Sequence, residues 1–544
     1  ILAPRCVPRD PPLPSCFPPS KACSHMQQAV VPAKRSHGDT LMDAEDASDV
    51  MYRRSLRTLI SVASEKTFQG RLLRGGHPID GCYFFTFSDA NPMRSTEVVA
   101  LDKALGELIN RNAPIELVSL PYAEVLSYFE SHSMESSAAI VKSRVREFID
   151  VHRIEGCLRL AVFPLVGSTG GLDPKPHLAA YQGGLVAVYY NPLGPLVQFT
   201  PSRTLMTSFK EQKQFGLAHG VTSIGALNVL KNEGREFQEF VLHCEFAQEA
   251  KLAHCAERIR SINNGARTRV DAVGVICIAG PTSSGKTTFA TKLSMYLANA
   301  GYKAVPLSVD HYYLPLDRQP RYQIRGDRGD VDYDAIESMD IPLVSEHVNA
   351  LLRGQTVMTP VYNMKTGFRD GPGKPFCLPG ANSILVMEGI HSLNPTYTSM
   401  ITETRVFKIY ISPLSALQID ETHALRTTDH RLLRRMCRDY LFRGHSASRT
   451  LSMWDKVRRG EHRWIFPHQD NVDWVVNSGC EYELRILKPL VEPLLAQVQP
   501  ADPCFRKAQS LLSLLSQVNA APCHVVPSTS LVREFIGDGA FDHH

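Results

Sequence analysis

The chain has 544 residues, 43% hydrophobic and 21% charged, with a formal net charge of +4. That length accommodates about two to four domains with sizeable cores. No apolar run reaches the ~18 residues needed to span a bilayer, and so small a positive excess does not argue for nucleic acid as a partner. The 13 cysteines include no C-x-x-C pair and total an odd number, which points to a reduced, cytoplasmic setting and away from a disulfide scaffold.

Residues 1–47 hold eight prolines and no apolar periodicity, and read as a disordered tail. The sequence opens on Ile1, with Met26 and Met42 as alternative starts. A transit peptide is a competing reading of the basic early residues, but the prolines oppose the amphipathic helix it needs. Order is expected from near Val50, with an α+β region over residues 48–170. There "GCYFFTFSD" from Gly81 predicts a strand ending in a turn, "TEVVALDKALGELINRNAP" a helix, and "LRLAVFPLV" from Leu158 a buried strand. The turn-rich "GSTGGLDPKP" from Gly167 marks an internal boundary. Residues 171–264 follow as a connecting α+β segment. It has a strand in "GGLVAVYYNP" and a helix from about Glu236 to Ile262, with an apolar stripe of Phe240, Cys244, Phe246, Ala250, Ala253 and Ile259.

From residue 265 to 544 apolar runs alternate with helical stretches: "AVGVICIAG", "KAVPLSVD", "NSILVMEGI", "RVFKIYIS" and "VDWVVNS". Near-continuous apolar strands between helices predict an α/β fold, a parallel sheet with helices on both faces. The first run leads into "GPTSSGKTT", which fits G-x-x-x-x-G-K-[ST] at Gly280, Gly285, Lys286 and Thr287, with a strand before it and a helix after it. Such a loop offers backbone N–H groups and a helix N-terminus to phosphate oxygens. Lys286 would reach the β- and γ-phosphates of a nucleotide, and Thr287 would ligate Mg²⁺.

Asp310 and Glu388 each follow an apolar run and so fall at the carboxyl edge of the sheet, where ligands bind. One carboxylate there can hold magnesium, and the other can accept a proton from an attacking hydroxyl. Arg431, Arg434, Arg435 and Arg438 fall at i, i+3, i+4 and i+7, one helix face, with Arg443 beyond. Four like charges at these spacings suggest an anionic ligand; a solvated basic face is the alternative.

"GPTSSGKTT", "SVDHYY", "VMEGIH" and "RLLRRMCRD", in this order and spacing, resemble the uridine kinase and phosphoribulokinase family of P-loop kinases. "FGLAHGVTSIGALNVL" and "SLVREFIG" resemble its long uridine-kinase-like form, whose front part is similar to the accessory domain of threonyl-tRNA synthetase. The resemblance implies ATP-dependent phosphoryl transfer to a small hydroxyl compound, with a nucleoside as acceptor and pyrimidine salvage as the setting. It places ATP phosphates on Gly280, Pro281, Thr282, Ser283, Ser284, Gly285, Lys286, Thr287 and Thr288, and Mg²⁺ on Thr287 and Glu388. It makes Asp310 the base and puts Arg434, Arg435, Arg438 and Arg443 in a lid over ATP. It gives Asp332, Tyr362 and Arg369 to the acceptor.

Two positions depart from the pyrimidine kinase pattern. In "PVYNMKTGFR" Met364 stands for an aromatic residue and Gly367 for a histidine. The front region also has no H-x-x-x-H pair, which speaks against a metal-dependent editing site. The alternatives are a phosphoribulokinase-like or other sugar kinase, and a non-catalytic ATP-binding regulatory or RNA-associated protein. A homo-oligomer is open; a membrane is not an expected partner.

Overall fold

The five apolar runs of the second half become five parallel strands. In the computed structural model they lie in the order Trp474–Asn477, Arg405–Ser412, Val273–Ala279, Ser383–Glu388, Lys303–Ser308. The structure describes residues 47–79, 82–89, 91–144, 146–172, 175–188, 202–324, 327–380 and 382–541. The expected tail, Ala47 excepted, and the end of "GGLVAVYYNP" lie outside them.

Period-two alternation divides the central strand between two cores. Ile276 and Ile278 pack on one face of the sheet, and Val275, Cys277 and Ala279 on the other. Helices cover both faces, as a parallel sheet requires. The register pairs Glu388 with both Ile278 and Ser308, so the ends of three strands lie level. This is the predicted α/β class, preceded by an α+β region.

The earlier residues form two antiparallel sheets. One has the order Leu73–Ile79, Cys82–Phe87, Gly184–Val188, His177–Tyr181, so strands on both sides of residue 170 pair with each other. The other joins Glu116–Pro121, Phe148–Ile154 and Cys157–Leu160. The strand expected from Leu158 onward stops at Leu160, shortly before Pro164, which has no N–H to continue a ladder.

The long helix runs from Glu236 to Gly265 and buries Phe237, Phe240, Val241, Cys244, Leu252, Cys255, Ala256 and Ile259. The expected stripe drifted off this face. Phe246 is 64% exposed, and Ala250 and Ala253 also face outward. The true stripe starts one residue after the first helical position, at Phe237, and keeps to i+3/i+4 steps from there. Among the described residues, no helix is long and apolar enough to cross a membrane.

One buried cluster runs without a break from Val125 and Phe129 through Ile224, Phe240 and Ile276 to Phe535. A polar tie crosses it. The buried Glu421 carboxylate accepts hydrogen bonds from the N–H groups of Ser136 (2.6 Å) and Ser137 (3.2 Å) and from the Ser137 hydroxyl. These donors open the helix Glu135–Ser143, where an anion is favoured. Removing the carboxylate strands buried donors. We therefore expect Glu421→Ala to lose about 2–3 kcal/mol of stability, read as a lower urea midpoint, with Glu421→Gln losing less.

Candidate active site

The phosphate loop connects the central strand to the helix Lys286–Asn299. Its shape is set from behind. Arg431 donates to the Thr282 carbonyl (3.4 Å), Arg434 to the Ser283 carbonyl (3.3 Å) and the Ser478 hydroxyl to the Ser284 carbonyl (2.6 Å). In a trans peptide the N–H of the next residue points opposite to the carbonyl. Three carbonyls turned back therefore turn the N–H groups of Ser283, Ser284 and Gly285 toward the cleft. Ser283 (φ 58°) and Gly285 (φ 85°) are left-handed, the local geometry of an anion-binding nest. Among the described residues, the buried hydroxyls of Ser283 and Ser284 have no hydrogen-bond partner, which fits a site built for phosphate oxygens. Lys286 arches over the loop and donates to the carbonyls of Gly280 (3.1 Å) and Pro281 (3.3 Å).

Three strand ends bring Lys286, Asp310 and Glu388 together. Asp310 sits in the turn Val309–Tyr312 after its strand. A Cβ built on Gly389, next to Glu388, would lie 3.4 Å from the Asp310 Oδ1. Burial raises the Asp310 carboxyl, while Lys286, His311, Arg443 and Arg438 act to lower it. Burial and then the Asp310 charge raise Glu388, against Lys286. Burial lowers Lys286, against Glu388 and Asp310. Glu388 is buried and Asp310 half-buried, and the two carboxylates repel each other; with the Thr287 hydroxyl they offer the hard oxygens that Mg²⁺ takes.

The arginine helix spans Thr427–Arg443. Arg431 pairs with Glu461, and Arg434 pairs with Glu483 through both carboxylate oxygens (2.6 Å each). Arg435 bonds Asp439 (3.1 Å) and the Thr282 hydroxyl (3.2 Å). Arg434 is fully buried, so its place is in the wall behind the loop and not in a lid; desolvation without a carboxylate partner would be prohibitive. Arg438 and Arg443 share Asp439 and also act electrostatically on Asp310.

The expected acceptor residues lie around the Tyr312–Tyr313 segment that follows Asp310. Asp332 is buried, and its carbonyl accepts from the Ser338 hydroxyl (2.7 Å). Tyr362 is buried and its hydroxyl accepts from Gln319 (2.9 Å). Arg369 is held by the Tyr312 and Tyr313 carbonyls and by Asp340 (3.0 Å), a brace under the Asp310 turn. Met364 is 59% exposed. Gly367 has φ 77° in a tight turn whose carbonyl accepts from Leu316 (2.8 Å), so backbone conformation selects glycine at this position.

Three acids were not singled out from sequence. Asp334 rises to about 7, through burial and then the Glu461 charge, and acts electrostatically on Tyr313 together with Asp310 and Asp332. It stands two residues after Asp332, and the alternating acids in "GDVDYDAIE" were the available signal. Glu461 accepts from the Thr282 N–H (3.3 Å) as well as from Arg431 and Arg458. Glu534 reaches the first turn of the loop helix from the end of the chain. Glu534 lies within the stretch "SLVREFIG", but nothing in that stretch shows that its carboxylate meets the loop.

Residues 275–484 match the Phosphoribulokinase / Uridine kinase family. The uridine kinase of Halobacterium salinarum is 27% identical over 206 residues, 38% of this chain and 80% of that protein. Uridine-cytidine kinase B of Dictyostelium discoideum is 25% identical over 250 residues, 45% of this chain and 91% of its own length. The phosphoribulokinase of Synechocystis sp. is 27% identical over 209 residues, 38% of this chain and 54% of that protein.

The loop's support carries a pH signature. Burial alone would push the Glu483 carboxyl up, but Arg434 and His430 outweigh it and hold it at about 2. The folded value lies below the ordinary glutamate pKa of about 4.3. The pair's contribution is therefore complete above that value and drains as the pH falls toward 2. We expect Glu483→Gln to cost about 3–5 kcal/mol near neutral pH by chemical denaturation. Its stability should then decline less than the wild type's between pH 5 and about 2.

Proposed function

We propose that the chain is an ATP-dependent kinase that transfers a phosphoryl group to a hydroxyl of a small molecule, with a nucleoside of the uridine or cytidine type as acceptor. The carrying observation is the meeting of Lys286, Asp310 and Glu388 beside the phosphate loop. Asp310 orients the acceptor hydroxyl and takes its proton, while Lys286 steadies charge on the transferring phosphoryl group. Thr287 and Glu388 would hold Mg²⁺, which when bound neutralises charge on the β- and γ-phosphates. Arg438 and Arg443 extend the positive field on the cleft side. Asp334, half-buried and within reach of the Asp310 charge, would accept hydrogen bonds from hydroxyls of a sugar.

Support for a nucleoside comes from relatives that bear the names uridine kinase and uridine-cytidine kinase. The phosphoribulokinase relative keeps a sugar phosphate as the second reading of the same site. The exposed Met364 and the glycine at 367 leave base recognition to other residues than the usual pair. In this reading the front region is an accessory domain similar to that of threonyl-tRNA synthetase, the setting is the cytoplasm, and no editing chemistry is assigned to it.

A panel of nucleosides and sugars incubated with γ-labelled ATP tests the assignment; we expect label on uridine or cytidine, and label on sugars alone would move the assignment to a sugar kinase. Lys286→Ala should reduce transfer by about 10²–10³-fold with the melting temperature kept. Full turnover in that variant removes the loop from the mechanism. Asp310→Asn should bind ATP and fail to transfer. Because burial holds Asp310 above the ordinary aspartate pKa of about 3.9, its base form is lost on acidification before carboxylates with ordinary values protonate. The wild-type rate should therefore fall with pH from above that value.

A further inference from the structure

The last helical turn of the chain, Arg533–Ile536, touches the phosphate loop. The Glu534 carboxylate accepts hydrogen bonds from the Thr288 N–H (3.2 Å) and the Thr288 hydroxyl (2.8 Å). Three residues earlier, Leu531 packs over the loop. A Cβ built on Gly285 would lie 2.1 Å from its Cδ2, so no side chain fits between them.

The segment is fastened on both sides. Lys292, on the loop helix, donates to the Thr529 carbonyl (2.8 Å), and the Ser530 hydroxyl donates to Glu245 (2.9 Å). The Arg434 guanidinium stands 4.8 Å above the Phe535 ring. Arg533 donates to the carbonyls of Val526 (2.6 Å), Cys523 (3.1 Å) and Gly537 (3.2 Å). Beyond it, Gly537 (φ 84°) and Asp538 (φ 56°) are left-handed.

The N–H of Thr288 lies in the first turn of the helix that follows Gly-Lys-Thr. There a loop of this type receives the α- and β-phosphates of its nucleotide. Glu534 places a full negative charge on that N–H and against the positive helix end. Its charge also acts on Lys286, Arg434 and Arg438, of which Lys286 and Arg438 would face a triphosphate. One N–H has one proton to donate. A phosphate oxygen and the carboxylate compete for it and repel each other at the same helix end.

We propose that Glu534 is an internal competitor of the nucleotide: residues 529–538 form a strap whose carboxylate stands in for a phosphate at Thr288, and nucleotide binding displaces it. This rests on the reading of Gly280–Thr288 as the ATP site. The strap lowers the apparent affinity for any ligand that brings phosphate to Thr288. Because Phe535 rides on Arg434, its displacement is felt by the arginine helix.

Titration calorimetry of the full chain with ATP, ADP and adenosine tests this, using wild type, Glu534→Gln, Glu534→Ala and Lys286→Ala. We expect both Glu534 variants to bind ATP and ADP about tenfold more tightly, the scale of one charge-assisted hydrogen bond, with adenosine unchanged. In the wild type, tryptic cleavage after Arg533 should accelerate when ADP is added. ATP binding by Glu534→Gln that is unchanged or weaker, in a variant with a native melting curve, overturns the strap. So does cleavage at Arg533 that ADP leaves unaltered, a measurement that needs no variant to fold. If wild-type ATP binding depends on Lys286 while the Glu534 variants are no tighter, the strap alone fails. If Lys286→Ala binds ATP as well as wild type, the phosphate-loop reading fails with it.

Discussion

Burying guanidinium groups behind the phosphate loop forces carboxylates to meet them. Arg431, Arg434 and Arg435 come from one helix face, and their partners Glu461, Glu483 and Asp439 neutralise them. The N–H groups that remain take hold of the loop at Thr282 and Ser283. The carbonyls are drawn back, and the planarity of the peptide group turns the following amides forward. An anion site made of backbone dipoles is thus preorganised before any anion arrives, which is the condition for such a site to act strongly. The arginines shape the loop from its far side.

The front of the site is organised by the opposite problem. Asp310, Glu388 and Asp334 are carboxylates that feel one another's charge, and desolvation raises all three. Lys286, Arg438 and Arg443 only partly offset this. Such shifts are found where charge changes during binding or chemistry and also in structural ion-pair networks. Glu534 adds one more anion to this balance from the chain's last turn.

The expectations that held rest on local patterns. The five strands were legible because a strand covered on both faces must be apolar at nearly every position. The loop was legible because its glycines, lysine and threonine are contiguous. The level ends of the strands, and so the meeting of Asp310 with Glu388, followed from both acids closing apolar runs. The stripe of the long helix was misread because alanines satisfy helical spacing on several faces; only packing against the sheet selects Phe237 and Val241 over Phe246. The four-arginine face was visible as a pattern, but the partners of Arg431 and Arg434 lie 30 and 49 residues away along the chain.

The sequence by itself determined the parallel sheet, the phosphate loop and the two acids at the strand ends, because each is encoded within a short window by periodicity or by adjacent residue types. Only the tertiary structure decided what the arginines hold, which acids stand close to Asp310, and why glycine stands at position 367. It alone brought Glu461, Glu483 and Glu534 to the loop. These are pairings between distant segments, and a charge reveals nothing about its partner until burial removes the water that would otherwise satisfy both.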